Sequence, residues 1–223
     1  GYGNAKSRYF TEVGEDITAT VVAISDGEGN HILLVSTDIS TAQSGFMKGL
    51  APAISQKTGI PEERIIVAGC HSHASVDVTY TEEPAIVEYN TVASGKIVDA
   101  AVAALEDRKP AQMYTGSVET EGLNFVRHYK SVTDEGETVY FGDNFGTAII
   151  NDTTVHTTEA DPTMHLLKFT REGGEDVVIV NWRAHPHFDD GSARTLLSSD
   201  FIGSFRNAFV GMNNYIAVWQ NPM

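Results

Sequence analysis

Cysteine is almost absent. Cys70 stands alone among 223 residues, which excludes an internal disulfide framework and a cysteine-rich zinc site. Its apolar neighbours predict a small buried side chain rather than a nucleophile. Positive charge is scarce as well: 15 lysines and arginines face 30 acids, for a net charge of −15. That balance opposes binding to nucleic-acid phosphates, and no basic stripe offsets it. No apolar run approaches the roughly 18 residues that would indicate a transmembrane helix. The opening "GYGNAKSRYF" lacks the charged-then-apolar layout of a secretory signal. Neither a G-x-S-x-G elbow nor a phosphate-binding glycine loop is present: "GEGN" and "GDNFG" read as turns.

The residues that are present suffice for one full-sized domain. With 41% hydrophobic and 20% charged residues, the chain has an ordinary globular composition, and neither a repeat nor a linker divides it. "DITATVVAIS" (16–25) and "HILLVSTDI" (31–39) predict a hairpin about "GEGN". Helical spacing of Phe46, Met47, Leu50, Ala51 and Ile54 predicts a helix over 41–57, ended by Gly59. "RIIVAGC" (64–70) reads as an inner strand buried on both faces. A second helix is expected over 84–107, with Pro84 at its start and an apolar stripe from Ile86 to Leu105.

Residues 111–120 read as a strand, and 121–160, polar and without periodicity, as a long loop. A second hairpin is expected over 164–185, turning at Gly173-Gly174. A helix over 199–211 and a strand over 214–221 complete the pattern. Hairpins interleaved with helices predict an α/β domain with mixed β-sheets and flanking helices, not a parallel dinucleotide-binding fold.

The chemistry concentrates in "GCHSHASVD" and "NWRAHPHFDDG". Each follows an apolar strand and carries His-x-His, so four of the eight histidines, His71, His73, His185 and His187, fall into two strand-ending pairs. Residues i and i+2 of an extended chain share a side, so each pair can aim two imidazoles at one point. Imidazole is the commonest protein ligand for zinc, and the doubled pattern favours a metal centre over scattered surface histidines. One histidine of each pair suffices as ligand, which leaves the other to hold substrate or orient a ligand. Asp189 and Asp190 fit either outer partners of the centre or solvated loop acids. Asp38 fits a helix N-cap or a catalytic acid. In "SSDF", Ser199 or Asp200 fits a helix cap, and Arg127 in "GLNFVRHYK" fits a surface cation or an oxyanion contact.

Taken in order, these segments resemble the N-terminal catalytic domain of neutral/alkaline (non-lysosomal) ceramidases and their bacterial relatives. The likeness is carried by Gly1-Tyr2, "ILLVSTD", "GCHSHAS", "GLNFVRHY", "ADPTMHLLKF", "NWRAHP", "SSDFIGSF" and "AVWQN". It implies a ceramidase-like catalytic fold with αββα layering and a zinc ion held by His71 and His185. His73 and Arg127 would then be the catalytic residues that face the substrate, a small-molecule or lipid amide such as N-acyl-sphingosine. His187 has no counterpart in that pattern. "HSHASVD" departs from the family's His-Ser-Gly-Pro run, and "NFVRHY" from its Asn-Arg-Ser. The resemblance also places the glutamate and tyrosine that complete the zinc shell, and a serine nucleophile, later in the family's chain. The expectation is therefore about the first half of a zinc amidohydrolase-like catalytic domain. Its rivals are a hydrolase of another amide or ester on the same scaffold, and a fragment without catalysis of its own.

Overall fold

The predicted first hairpin forms. The computed structural model describes residues 9–40, 44–142, 150–188, 195–213 and 215–220, with the backbone alone for 210–213 and 215–220. A short strand β1 (Glu12–Val13) precedes β2 (Ala19–Ser25) and β3 (His31–Thr37), which pair antiparallel. Asp26 closes the turn between them, its carboxylate accepting from the backbone of Glu28 and Asn30. Gly29 sits there at φ 88°, a left-handed conformation natural to glycine.

Helix α1 (Gly45–Thr58) then crosses to β4 (Ile65–Gly69), which lies parallel to β3 in the order β2-β3-β4. Ser44 caps the helix by accepting from the Met47 N–H, and Gly59 ends it at φ 75°. The N-cap role is therefore Ser44's and not Asp38's. Contrary to the inner strand expected at 64–70, β4 is an edge strand, with Ile66 53% exposed. A continuous apolar run marks a strand with both faces covered. Here only Ile65 and Val67 meet the helices, so the run overstates the cover.

Helix α2 (Pro84–Glu106) lays Ile97 and Ala101 into the core against Leu33, Val35, Leu50 and Ile54. Next come β5 (Ala111–Glu119), then β6 (Tyr129–Val132), β7 (Thr138–Phe141) and β8 (Val155–His156). These last three form a small sheet in the order β7-β6-β8. The long loop expected over 121–160 is thus a compact sheet in its described part. Strands of two to four residues, largely exposed, bury too little to write a periodicity into the sequence.

The second hairpin, β9 (Thr163–Arg171) and β10 (Asp176–Asn181), turns at Gly173, and β11 (Leu196–Leu197) pairs with β1. Helix α3 (Phe201–Asn213) leads to β12 (Tyr215–Gln220), parallel to β10, in a sheet ordered β12-β10-β9-β5. Alternation along β10 divides its contacts. Val177 and Ile179 pack toward Val22, Ile24 and Leu34 of the first sheet. Val178 and Val180 pack with Trp182, Cys70 and Ile202 of α3. Helices α1 and α2 cover the first sheet, the second sheet packs on it, and α3 lies on the second.

Candidate metal centre

Strands β4 and β10 both end just before a histidine pair, and the packing of the two sheets brings those ends together. The pairs do not sit on extended strand, as their i, i+2 spacing suggested. β4 stops at Gly69, and His71 takes the left-handed conformation, φ 69°. A turn follows in which the Ser75 Oγ–H and N–H both donate to the Ser72 carbonyl. His71 and His73 converge through this bend instead of through strand alternation.

The bent segment is stitched into the protein. Ser72 Oγ donates to the Ser198 carbonyl (2.9 Å), and Ser198 N–H donates to the Ala74 carbonyl (3.1 Å). The N–H of His73 donates to the Pro186 carbonyl (3.1 Å), a direct backbone link between the two histidine segments. Asp200, at φ 61° and 1% exposed, holds the second segment from below. Its carboxylate accepts from the N–H of Phe188 and from that of Phe201 at the start of α3, both at 2.7 Å.

Four imidazoles meet as a result. The ring centres of His71 and His185 are 5.3 Å apart and nearly stacked, and those of His73 and His185 are 4.6 Å apart. His187, exposed, lies 4.1 Å from His73. Nε2 of His73 and Nε2 of His185 approach to 2.9 Å. One ring nitrogen from each of His71, His73 and His185 falls within 4.8 Å of the others, and all three residues are half-buried.

Protonation suits a metal. Nδ1 of His71 contacts the Ser40 carbonyl, which only accepts, so the proton sits on Nδ1 and leaves Nε2 as the ring's acceptor. His73 is held uncharged: burial first, then the neighbouring His187, His185, His71 and Arg127, push its pKa down to about 3. Half-buried imidazoles with converging nitrogens, the uncharged His73 among them, are a donor set that zinc accepts. Cys70, directly before His71, is buried, and burial pushes its thiol up to about 12, so it is no thiolate ligand.

Arg127 is exposed, yet its charge reaches His73. Its segment is pinned beside the exit of β10, where Nδ2 of Asn124 donates to the carbonyls of Asp161 and Arg183, each at 2.8 Å.

The fold that carries these histidines has a counterpart among solved structures. A structure described as "Ceramidase complexed with C2" superposes on the chain with a TM-score of 0.55 at 17% identity. The chain has a ceramidase-like fold. The match covers 93% of this chain and 35% of that ceramidase, so the chain spans about a third of its neighbour's length. No protein-family model and no curated protein matches the sequence.

Of the residues singled out in the sequence, the ceramidase-like fold collects His71, His73, His185 and His187, with Arg127 near them. Asp38 lies outside the cluster, buried against Arg206. Asp189, Asp190 and Gly1-Tyr2 fall outside the described residues, as do the side chains of the "AVWQN" strand. Sequence reasoning missed the Ser40 carbonyl, the tie from Asp200 to Phe188, and Arg206. Arg206 left a signal: it is the only charge in an otherwise neutral helix, "FIGSFRNAFVGMN", which marks a buried partner.

Proposed function

We propose that this chain carries the histidine half of a zinc-dependent hydrolase centre that cleaves an amide bond, in N-acyl-sphingosine or another N-acyl substrate. The observation that carries the reading is the convergence of His71, His73 and His185 at the strand ends of a ceramidase-like fold. His71 and His185 hold the ion. A zinc ion there supplies Lewis acidity toward the scissile carbonyl and the attacking oxygen. His73 faces the substrate, where a ring N–H would donate to the oxygen that gains negative charge, or a ring nitrogen would carry the proton lost by the attacking water to the leaving amine. The Arg127 guanidinium offers N–H donors to the carbonyl oxygen as negative charge develops on it. The substrate is a small-molecule or lipid amide.

A second reading is favoured by the nitrogen geometry: His73 serves as a third ligand, giving the three-histidine set that catalytic zinc sites accept. The test is metal analysis of the purified protein, with hydrolysis assays on ceramide and short N-acyl substrates in the chain's natural full-length context. Stoichiometric zinc with amide turnover is expected. Zinc without turnover on any amide would remove the amidase reading, and turnover unaffected by chelation would remove the metal.

A further inference from the structure

Beneath the histidines lies a second polar cluster that the proposed chemistry does not use. Asp38, 0% exposed, leaves the end of β3 and receives four hydrogen bonds. Arg206 of α3 forms a two-pronged contact, Nη2 to Oδ1 at 2.6 Å and Nη1 to Oδ2 at 2.9 Å. Thr18, just before β2, adds its N–H (2.8 Å) and its hydroxyl (2.9 Å) to Oδ2. The first sheet, the exit of β3 and α3 are thus joined at one carboxylate. A buried ion pair of this kind is poor evidence for stability, since apolar side chains of equal volume serve as well. What it does fix is geometry, because a forked guanidinium sets direction as well as distance.

The geometry it fixes leads to His71. The chain just past Asp38 runs in backbone contact with the exit of β4: a Cβ at Gly69 would stand 2.7 Å from the Ile39 carbonyl. Cys70 N–H donates to the Thr37 carbonyl (2.6 Å), and His71 N–H to that of Ile39 (3.3 Å). The Ser40 carbonyl takes the Nδ1 proton of His71, and Ser40 N–H is tied to Ser75 Oγ (3.1 Å). His71 is therefore bonded twice to a segment that Asp38 anchors. It also holds a left-handed backbone that persists only where its surroundings enforce it.

We propose that the Asp38–Arg206 pair is a positioning device for the metal centre. It holds the Ser40 carbonyl where that group keeps the proton on Nδ1 of His71 and presents Nε2 to the ion. The inference rests on the metal-centre reading above. Its test uses Asp38→Asn, Arg206→Lys and Thr18→Val in the whole chain, with two readouts. One is zinc affinity, measured by competition with a chromophoric chelator. The other is the His71 tautomer in the metal-free protein, from long-range nitrogen–proton NMR. Asp38→Asn and Arg206→Lys should weaken zinc by about 10–100-fold, the usual cost of losing an outer partner. His71 should then move from one tautomer to a mixture, and Thr18→Val should show both effects more weakly. Circular dichroism establishes that each variant is folded. Folded variants with unchanged zinc affinity and an unchanged tautomer would overturn the proposal, and so would unfolding of all three, which would make the pair merely structural. A wild-type chain that binds no zinc would remove the metal-centre reading instead, while the tautomer would still judge the positioning.

Discussion

The two ends of the paired sheets differ in how they treat polarity. At the histidine end, Asp38, Ser40, Ser72, Ser75, Ser198 and Asp200 are all 1% exposed or less. Most of their polar atoms are bonded to backbone, serine or arginine. At the other end, about 20 Å away along β2 at 3.3 Å per residue, a cavity of about 510 Å³ is lined by Val21, Ala23, Ile24, Phe169 and Val177. Charge there is kept at the rim, by Arg108, Lys109 and the Arg171–Asp107 pair (2.6 Å). Among the described residues the group of three side chains able to share an ion lies at the histidine end and not at this cavity. Buried polar groups that are nearly all satisfied cost little once formed and hold their neighbours in one arrangement. The histidine end has that property and the cavity end does not.

The sharpest way to break the contrast is to remove a ligand. His71→Ala and His185→Ala should each abolish stoichiometric zinc binding, a larger loss than the roughly 10–100-fold expected of outer partners. Zinc titration followed by calorimetry measures this directly. If either variant binds zinc as the wild type does, the ion is not held where the sheets end.

His73→Ala sharpens the comparison within the site. With His73 facing substrate, the variant keeps its zinc, and the full-length protein loses about 100- to 10,000-fold in turnover, the span general acid–base groups supply. With His73 as a ligand, zinc is lost along with turnover. Zinc content by atomic absorption separates the two.

The first hairpin, both crossing helices and the second hairpin were legible because each buries one face, and burial writes a period into the sequence. The small β7-β6-β8 sheet was not, since its short strands are mostly exposed. The site was half legible. Doubled His-x-His after apolar strands pointed to all four imidazoles, but the reason offered, strand alternation, was not the one the fold uses. His71 reaches the cluster through a left-handed residue and a serine-held turn, and the enrichment of His, Asn and Asp at positive φ is too weak to mark one residue in a sequence. The Ser40 carbonyl was invisible for a simpler reason: every residue has a carbonyl.

Acidity gives a smaller effect with a definite sign. Zinc requires neutral imidazoles, so affinity should fall as pH drops through about 6.5, where ordinary histidines take up protons. His73 behaves differently in the metal-free chain, where its pKa lies near 3 because burial, and then the neighbouring His187, His185, His71 and Arg127, oppose its protonation. Its folded value is below its unfolded one, so the unfolded chain binds more protons between about 3 and 6.5. The associated stability is fully present above pH 6.5 and declines as pH falls toward 3. NMR titration of the His73 ring, beside urea melts at pH 7 and pH 5, reads both. A His73 midpoint near 6.5 would show that the cluster is open to water.

The smallest effect belongs to the cavity end, and it is the control for everything above. Arg171 reaches Asp107 at 2.6 Å and also bonds the carbonyls of Asp107 and Glu175, but the aspartate is exposed. The contact to Arg171 holds the Asp107 carboxyl below its usual range, so what the pair contributes is present above that range and is lost in acid. Exposed pairs gain little over their hydrated partners and are screened by salt. Asp107→Asn should therefore lower the melting temperature slightly at pH 7 and low ionic strength. That difference should shrink in 1 M salt, where the Debye length is about 3 Å. Zinc affinity and the His71 tautomer should not move, because the bonds of the Asp107–Arg171 pair run to the end of α2 and the β9–β10 turn and not to Ser40 or His71. A zinc affinity that changed in Asp107→Asn as much as in Asp38→Asn would mean that any loss of charge loosens the centre. The distinction between the two ends would then fall, together with the special role given to the buried pair.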